Sequence, residues 1–234
     1  MLRLTESFEN ISEPYMGSEI ISLFKSFCKQ KERLCLYENE KGAVLLRFDR
    51  KLIISGKTDF EEVLSLCSMF GINKIEALKE DISIDNLNSS LHSIMEFSSK
   101  APKHSLPQFA ESMKIPFEIL KSSDKSFMEN TDYDYWLSDI RSMERTDSCS
   151  VFLKNNSSTA AVTARGFGKS LISQVATLPQ YRGTGLASAL LNEVCAFETK
   201  NGFTPFLISK NEKTDLFYQH LGFTKKGTRV LIYL

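Results

Sequence analysis

The sequence predicts an α/β protein built as two similarly ordered halves, with a mixed sheet carrying helices on both faces. Three observations predict this. Apolar runs of strand length alternate with amphipathic runs of helix length. The order of elements in the first half returns after residue 116. Between the halves, "SSKAPKHSLPQFAESMKIP" (Ser98 to Pro116) holds three of the six prolines among small and polar residues, which opposes continuous helix or strand. The division expected is therefore 1–100, a linker at 101–116, and 117–234.

The first half opens with a helix in "GSEIISLFKSFCKQKE", where Ile20, Ile21, Leu23, Phe24, Phe27 and Cys28 repeat at helical spacing. "RLCLYEN", "GAVLLRFD" and "KLIISG" read as a strand meander, because tight polar turns ("ENEKG", "DRK") separate them. "TDFEEVLSLCSMFG" is a helix with Thr58 or Asp59 as N-cap, acidic residues in its first turn and Gly71 as its stop. "INKIEAL" is a further strand.

In the second half "PFEIL" reads as a strand, "KSFMENTDYDYWLSDIRSMERT" as one or two helices, and "SCSVFLKN", "STAAVTARGF" and "KSLISQVATL" as three strands. A helix from "GLASALLNEVC", the strand "FTPFLIS", the short helix "KTDLFYQHLG" and the closing strand "TRVLIYL" follow.

Composition narrows the function. Of 234 residues 42% are hydrophobic and 25% charged, which suits a soluble globular chain. Lys+Arg and Asp+Glu are both 29, and no basic run suggests a nucleic-acid track, so no nucleic-acid partner is expected. The start has no continuous apolar segment and no membrane-length apolar run occurs, so neither secretion nor a membrane partner is expected. The sequons at Asn10, Asn88 and Asn156 then have no role. Cys28, Cys35, Cys67, Cys149 and Cys195 lack CxxC spacing and read as reduced thiols of a cytoplasmic protein without a metal.

The stretch "VATLPQYRGTGLASALLNEV" carries the chemistry. Pro179 stops the strand, and apolar residues then recur at Leu186, Ala187, Leu190, Leu191, Val194 and Cys195, the stripe of a helix packed on a sheet. "PQYRGTG" is thus a strand-to-helix loop. A helix N-terminus presents unpaired N–H groups and partial positive charge; Gly183 and Gly185 permit close approach, and Arg182 adds a cation suited to phosphate. An ordinary tight connection is the competing reading. The dinucleotide fingerprint fails because Ser188 stands where its third glycine belongs. "GFGKS" lacks the first glycine of a P-loop, having Thr163 there, and reads as a hairpin turn.

Arg182-Gly183-Thr184-Gly185-Leu186-Ala187 resembles the [R/Q]xxGx[G/A] signature of the GNAT superfamily of N-acetyltransferases, and "NEKTDLFYQHLGF" resembles that family's second signature. The resemblance runs from about Pro116 to the C-terminus. It implies a mostly antiparallel central sheet flanked by helices; the first half, from its order of elements alone, reads as a degenerate tandem copy. It also implies acetyl-coenzyme A as cosubstrate in a cleft where two strands splay. The backbone of Val175, Ala176 and Thr177 would pair with the pantetheine arm as an added strand does. The N–H groups from Arg182 through Thr184, Gly185, Leu186 and Ala187 to Ser188 would hold the diphosphate. Asn211 would meet the pantetheine or the thioester end, and Tyr218 would be the general acid.

Tyr218 suits that role chemically. The departing coenzyme A thiolate resembles a free thiol with a pKa of about 8.5, whereas tyrosine sits near about 10 and can donate to the leaving sulfur. No enzyme nucleophile is needed, so Cys195 reads as helix core. A general base is harder to find. Many family members place a glutamate on the strand before the loop, where this chain has Ser173 and Gln174. Glu129, Asp132, Asp134 and Asp139 could attract a cationic acceptor, or be solvated helix faces and caps; His220 reads as surface; Tyr135 and Trp136 could shape an acceptor pocket or anchor a helix. In the first half only "SGKTDF" separates strand from helix, too short to wrap a diphosphate.

Two functions follow. One is direct acetyl transfer from acetyl-coenzyme A to a primary amine of a small molecule or peptide. The other is an acyl-coenzyme A-binding regulatory or interaction module whose catalysis has lapsed. A monomer or homodimer suits either.

Overall fold

The computed structural model describes residues 2–11, 13–82, 87–99, 106–123, 127 and 131–234. Its strands are β1 (Arg3–Leu4), β2 (Leu34–Glu38), β3 (Val44–Phe48), β4 (Lys51–Ser55), β5 (Lys74–Leu78), β6 (Ser89–Phe97), β7 (Gln108–Phe109), β8 (Ser150–Lys154), β9 (Ser158–Gly166), β10 (Lys169–Thr177), β11 (Thr204–Ser209) and β12 (Phe223–Tyr233). Its helices are α1 (Pro14–Phe27), α2 (Phe60–Phe70), α3 (Lys114–Ser123), α4 (Tyr133–Glu144), α5 (Leu186–Lys200) and α6 (Glu212–His220). In each half a strand meander follows one or two helices and is followed by a helix and a further strand, as the sequence predicts, but the strand expected to open the second half is absent.

These strands join in one sheet in the order β1-β2-β3-β4-β5-β12-β6-β11-β10-β9-β8-β7. Pairing is antiparallel except for β4 with β5 and β10 with β11. The halves also trade strands. β6, from the first half, lies between β11 and β12, while β12, from the second, lies between β5 and β6. Each half's sheet is thus completed by the other's last strand.

Helices cover both faces. On one, α1, α3 and α4 bury a core shared by the halves, in which Met16, Ile20, Leu46 and Ile53 join one cluster with Ile140, Val151, Ala161 and Leu171. On the other face, α2 packs Val63 and Leu66 with Leu45, Ile54 and Val230, and α5 packs Leu190, Val194 and Cys195 with Ile172, Leu207 and Phe223. Each fully buried aliphatic side chain in these layers contributes about 1.5–3 kcal/mol. Polar contacts fix α1 against the second half. Ser22 Oγ donates to the Arg165 carbonyl (3.1 Å) and accepts from its N–H (2.8 Å), and a Cβ on Gly166 would collide with Ile21. Arg165 also forms a bidentate pair with the fully buried Glu198 of α5 (2.6 and 2.9 Å).

Three expectations need revision. "PFEIL" is helical, inside α3: Pro116 sits in the first turn, where its missing N–H costs nothing, and Pro116, Phe117, Ile119 and Leu120 are buried. The strand β6 has no counterpart in the sequence reading, because its Ser, His and Glu residues mask the apolar alternation of Met95 and Phe97. Part of the proline-rich stretch belongs to the sheet, since Gln108 and Phe109 pair with Leu153 and Phe152; residues 100–105 lie outside the described residues. "GFGKS" is a hairpin turn, with Phe167 (φ 51°) and Gly168 (φ 70°) both left-handed between the paired Gly166 and Lys169.

Candidate functional site

The loop from β10 to α5 has the form its sequence implies. After a single 3₁₀ turn at Pro179–Tyr181, Gly183 (φ +77°) and Gly185 (φ +83°) adopt left-handed conformations, and nothing lies within 4 Å of where a Cβ would stand on either. Gly185 is the N-cap of α5 and supplies no side chain to cap it, and the first turn holds no acidic residue. The N–H groups of Leu186, Ala187 and Ser188 therefore have no intrahelical partner, and the first helical bond recorded at this end runs from Ala189 N–H to the Gly185 carbonyl (2.9 Å). Residues 181–185 are exposed. Among the described residues Arg182 bonds only to carbonyls, those of Thr177 and Ser123 (3.3 Å each), and no carboxylate neutralises it. Thr184 ties the loop by donating to the Tyr181 carbonyl (2.7 Å).

Upstream, the sheet opens. β10 and β11 pair from Lys169↔Thr204 to Ile172↔Leu207 and no further, which leaves one edge of Ser173–Thr177 without a strand partner. A bulge falls at the same place: Ser173 pairs with Ala161 and Ala176 with Thr159, so Gln174 and Val175 share one residue of β9. Gln174 is left-handed (φ 51°), unusual for a non-glycine inside a strand. Val175 faces the α5 layer and Ala176 the α3/α4 layer. The Thr177 carbonyl already accepts from Ser123 Oγ (3.1 Å) and Arg182 Nε, which leaves the bulged Gln174–Val175 segment as the open backbone edge.

The second signature lies against this opening. Asn211 follows β11 and caps α6: its Oδ1 accepts from Thr214 N–H (3.0 Å) in a capping box that Thr214 Oγ1 closes. Tyr218, on the inner face of α6, packs on Phe223 (ring centroids 5.8 Å apart) and against the same apolar cluster as Val175. Burial pushes its phenol above the ordinary tyrosine value, so it stays protonated at neutral pH.

The acceptor-side candidates are mostly engaged elsewhere. Asp132 is the N-cap of α4, accepting from the N–H groups of Asp134 and Tyr135, and Asp134 is exposed. Asp139 pairs with Arg33 of the first half (2.9 Å), which also holds Asp49 (2.8 Å) and bonds Tyr135 Oη (2.7 Å). Tyr135 thus belongs to an ionic clamp between the halves, and Trp136 is buried beside Phe117. Glu129 lies outside the described residues. His220 is exposed, and Cys195 is fully buried with its thiol pKa pushed up by burial. Among the described residues, no group of three or more His, Cys, Asp or Glu is placed to hold a metal ion, and no helix is long and apolar enough to cross a membrane.

The corresponding helix end in the first half has the opposite character. Asp59 caps α2 with its own carboxylate (2.9 Å to Glu61 N–H), and Glu61 and Glu62 follow in the first turn. Its N-terminus is filled and negative, where that of α5 is open.

Sequence reasoning missed the bulge at Gln174 and a polar contact under α6, where Ser93 Oγ donates to Asp215 Oδ2 (2.7 Å). An aspartate at an inward position of an otherwise family-like helix was its only trace.

Known proteins resemble this chain in domain and in fold. Residues 147–225 match the model of an acetyltransferase (GNAT) domain. Among solved structures, a GCN5-related N-acetyltransferase from Sphaerobacter thermophilus aligns with a TM-score of 0.60 and 12% identity, covering 99% of this chain and 94% of that one. One from Kribbella flavida aligns with a TM-score of 0.59 and 14% identity over 92% and 95%. A GNAT-family acetyltransferase from Colwellia psychrerythraea aligns with a TM-score of 0.57 and 12% identity over 100% and 98%. The shared fold therefore takes in both halves. No curated protein matches.

Proposed function

We propose that this chain, which carries a GNAT acetyltransferase domain over residues 147–225, transfers an acetyl group from acetyl-coenzyme A directly to a primary amine of a small molecule or peptide. The observation that carries the reading is the pairing of an uncapped, acid-free helix N-terminus with a splayed, bulged strand leading into it. An anion and an extended polar arm can be held there together.

The residues divide the work. The N–H groups of Gly183 through Ser188, with Arg182, hold the diphosphate. The Gln174–Val175 edge would pair with the pantetheine arm, and a bulge N–H would serve as a donor to the acyl carbonyl, stabilising developing negative charge. Asn211 spends its oxygen on the α6 cap and keeps its amide N–H groups for the arm. Bound there, acetyl-coenzyme A supplies an activated acetyl as a thioester. Tyr218, protonated and half-buried, would donate its proton to the sulfur as the amine nitrogen bonds the acetyl carbon and the C–S bond breaks, leaving free coenzyme A thiol, and the proton lost by the amine would return through water to restore the phenol. Cys195 takes no part, because its thiol is sealed in the core.

The strand offers Ser173 and Gln174 where a carboxylate base would stand, and Ser173 Oγ is engaged with Thr163 Oγ1 (2.8 Å). This favours a second reading, a cofactor-binding module without turnover. Thiol release from acetyl-coenzyme A across an amine panel decides between them. Amine-dependent release supports transfer; binding without release for any amine leaves the module.

A further inference from the structure

Among the described residues, two buried hydrogen-bond acceptors beside the splayed strands lack donors. One is Gln174 Oε1, on the bulge of β10; the other is Asp215 Oδ1, on α6. They stand at the same level of the opening. The last paired residues are Ile172 and Leu207, so Gln174 and Ser209 each lie two residues beyond the final rung. Ser93 on β6 is the register partner of Ser209, and Asp215 is bonded to Ser93. Along α6, Asp215 precedes Tyr218 by three residues, which puts both on one face, and that face is the inward one: Thr214, Asp215 and Tyr218 are half-buried while Leu216, Phe217, Gln219 and His220 are exposed.

A buried acceptor left without a donor costs about 1–3 kcal/mol, and such groups in a folded protein call for an explanation. Here the deficit is specific. Ser93 fixes one carboxylate oxygen of Asp215 and leaves the other open, and among the described residues no cation pairs with the carboxylate. An ammonium group brings three N–H donors and the complementary charge. We propose that Asp215, held by Ser93, binds the amino group of the acyl acceptor opposite Gln174, so that the acceptor is a cationic alkyl amine. This rests on the acetyltransferase reading. It gives the strand from the first half a part in the site, because Ser93 arrives on β6.

The test uses the full chain, acetyl-coenzyme A and the best amine from the panel. Asp215→Asn keeps an oxygen for Ser93 but loses the charge. It raises KM for the amine about tenfold or more, leaves the acetyl-coenzyme A-induced rise in Tm intact, and Asp215→Glu restores part of the loss. An unchanged KM overturns the assignment and leaves Asp215 a helix fastener. A wild-type measurement guards against a variant that does not fold: a tertiary amine of the acceptor's skeleton competes with it, and the neutral ether analogue does not. Equal competition overturns the proposal. Turnover with an unchanged Asp215→Asn KM removes this inference alone, whereas no thiol release with any amine removes the acetyltransferase reading with it.

Discussion

Gly185→Glu puts the diphosphate cradle to a quantitative test. The position is left-handed (φ +83°) and caps an open helix end, with no atom within 4 Å of the added Cβ. The side chain therefore enters without collision, and two costs separate cleanly. Left-handed backbone at a non-glycine costs about 1–2 kcal/mol of stability. The carboxylate, about 5 Å from a bound phosphate charge, adds a repulsion of about 3 kcal/mol at an effective dielectric constant of about 20, or about 200-fold in Kd. At a ligand concentration of about 100 times the wild-type Kd, binding stabilises the native protein by about 2.7 kcal/mol; the variant gains about 0.2 kcal/mol. For a chain of this size each kcal/mol moves Tm by about 2–4 °C. A thermal-shift assay should then show a rise of about 5–10 °C for wild type and under about 1 °C for Gly185→Glu. Gly185→Ala is the control: a lower Tm without ligand, most of the ligand-induced rise retained. If Gly185→Glu responds to acetyl-coenzyme A as wild type does, the diphosphate is not held at this helix end.

Tyr218→Phe should lower kcat by about 10²-fold or more while leaving the acetyl-coenzyme A shift unchanged. Because burial raises the phenol's pKa, its ionisation should take away neither activity nor stability below about pH 10; above that the unfolded chain ionises first, so stability falls with rising pH. Alkylation at pH 8 followed by peptide mass analysis should spare Cys67, Cys149 and Cys195 in the native protein, since burial raises Cys67 to about 11, Cys149 to about 12 and Cys195 further upward; turnover that survives labelling excludes the two remaining thiols, Cys28 and Cys35, as nucleophiles. Residues 117–234 expressed alone should fail to give a cooperative unfolding transition, because β6 is missing between β11 and β12, and residues 1–116 supplied in trans should restore one.

Local chemistry was legible in the sequence where a single segment sets it. The α5 loop needs only Pro179, two glycines and the apolar stripe beyond them, and all of these are consecutive. The hairpin at Phe167–Gly168 and the Asp59 cap of α2 are equally local. What depends on partners distant in sequence was not legible. The exchange of β6 and β12 is a choice among sheet neighbours that no periodicity encodes. The helical state of "PFEIL" comes from packing Phe117 against Tyr133 and Trp136, which overrides a pattern short enough to suit either state. Asp139 and Tyr135 read either as acceptor groups or as helix surface and anchor, and what decides between these is Arg33, more than a hundred residues earlier, which engages both. Gln174 reads as an ordinary strand residue, and only its backbone shows the bulge.

The central claim is that the open helix end, the bulged strand and Tyr218 form one acetyl-transfer site. Its most direct measurement is the mass of the amine after incubation with acetyl-coenzyme A and the full chain. At least one primary amine in the panel should gain a single acetyl group at wild-type turnover, and Tyr218→Phe should form that product about 10²-fold more slowly. Acetyl-coenzyme A that binds and stabilises the protein while every amine keeps its original mass would contradict the claim.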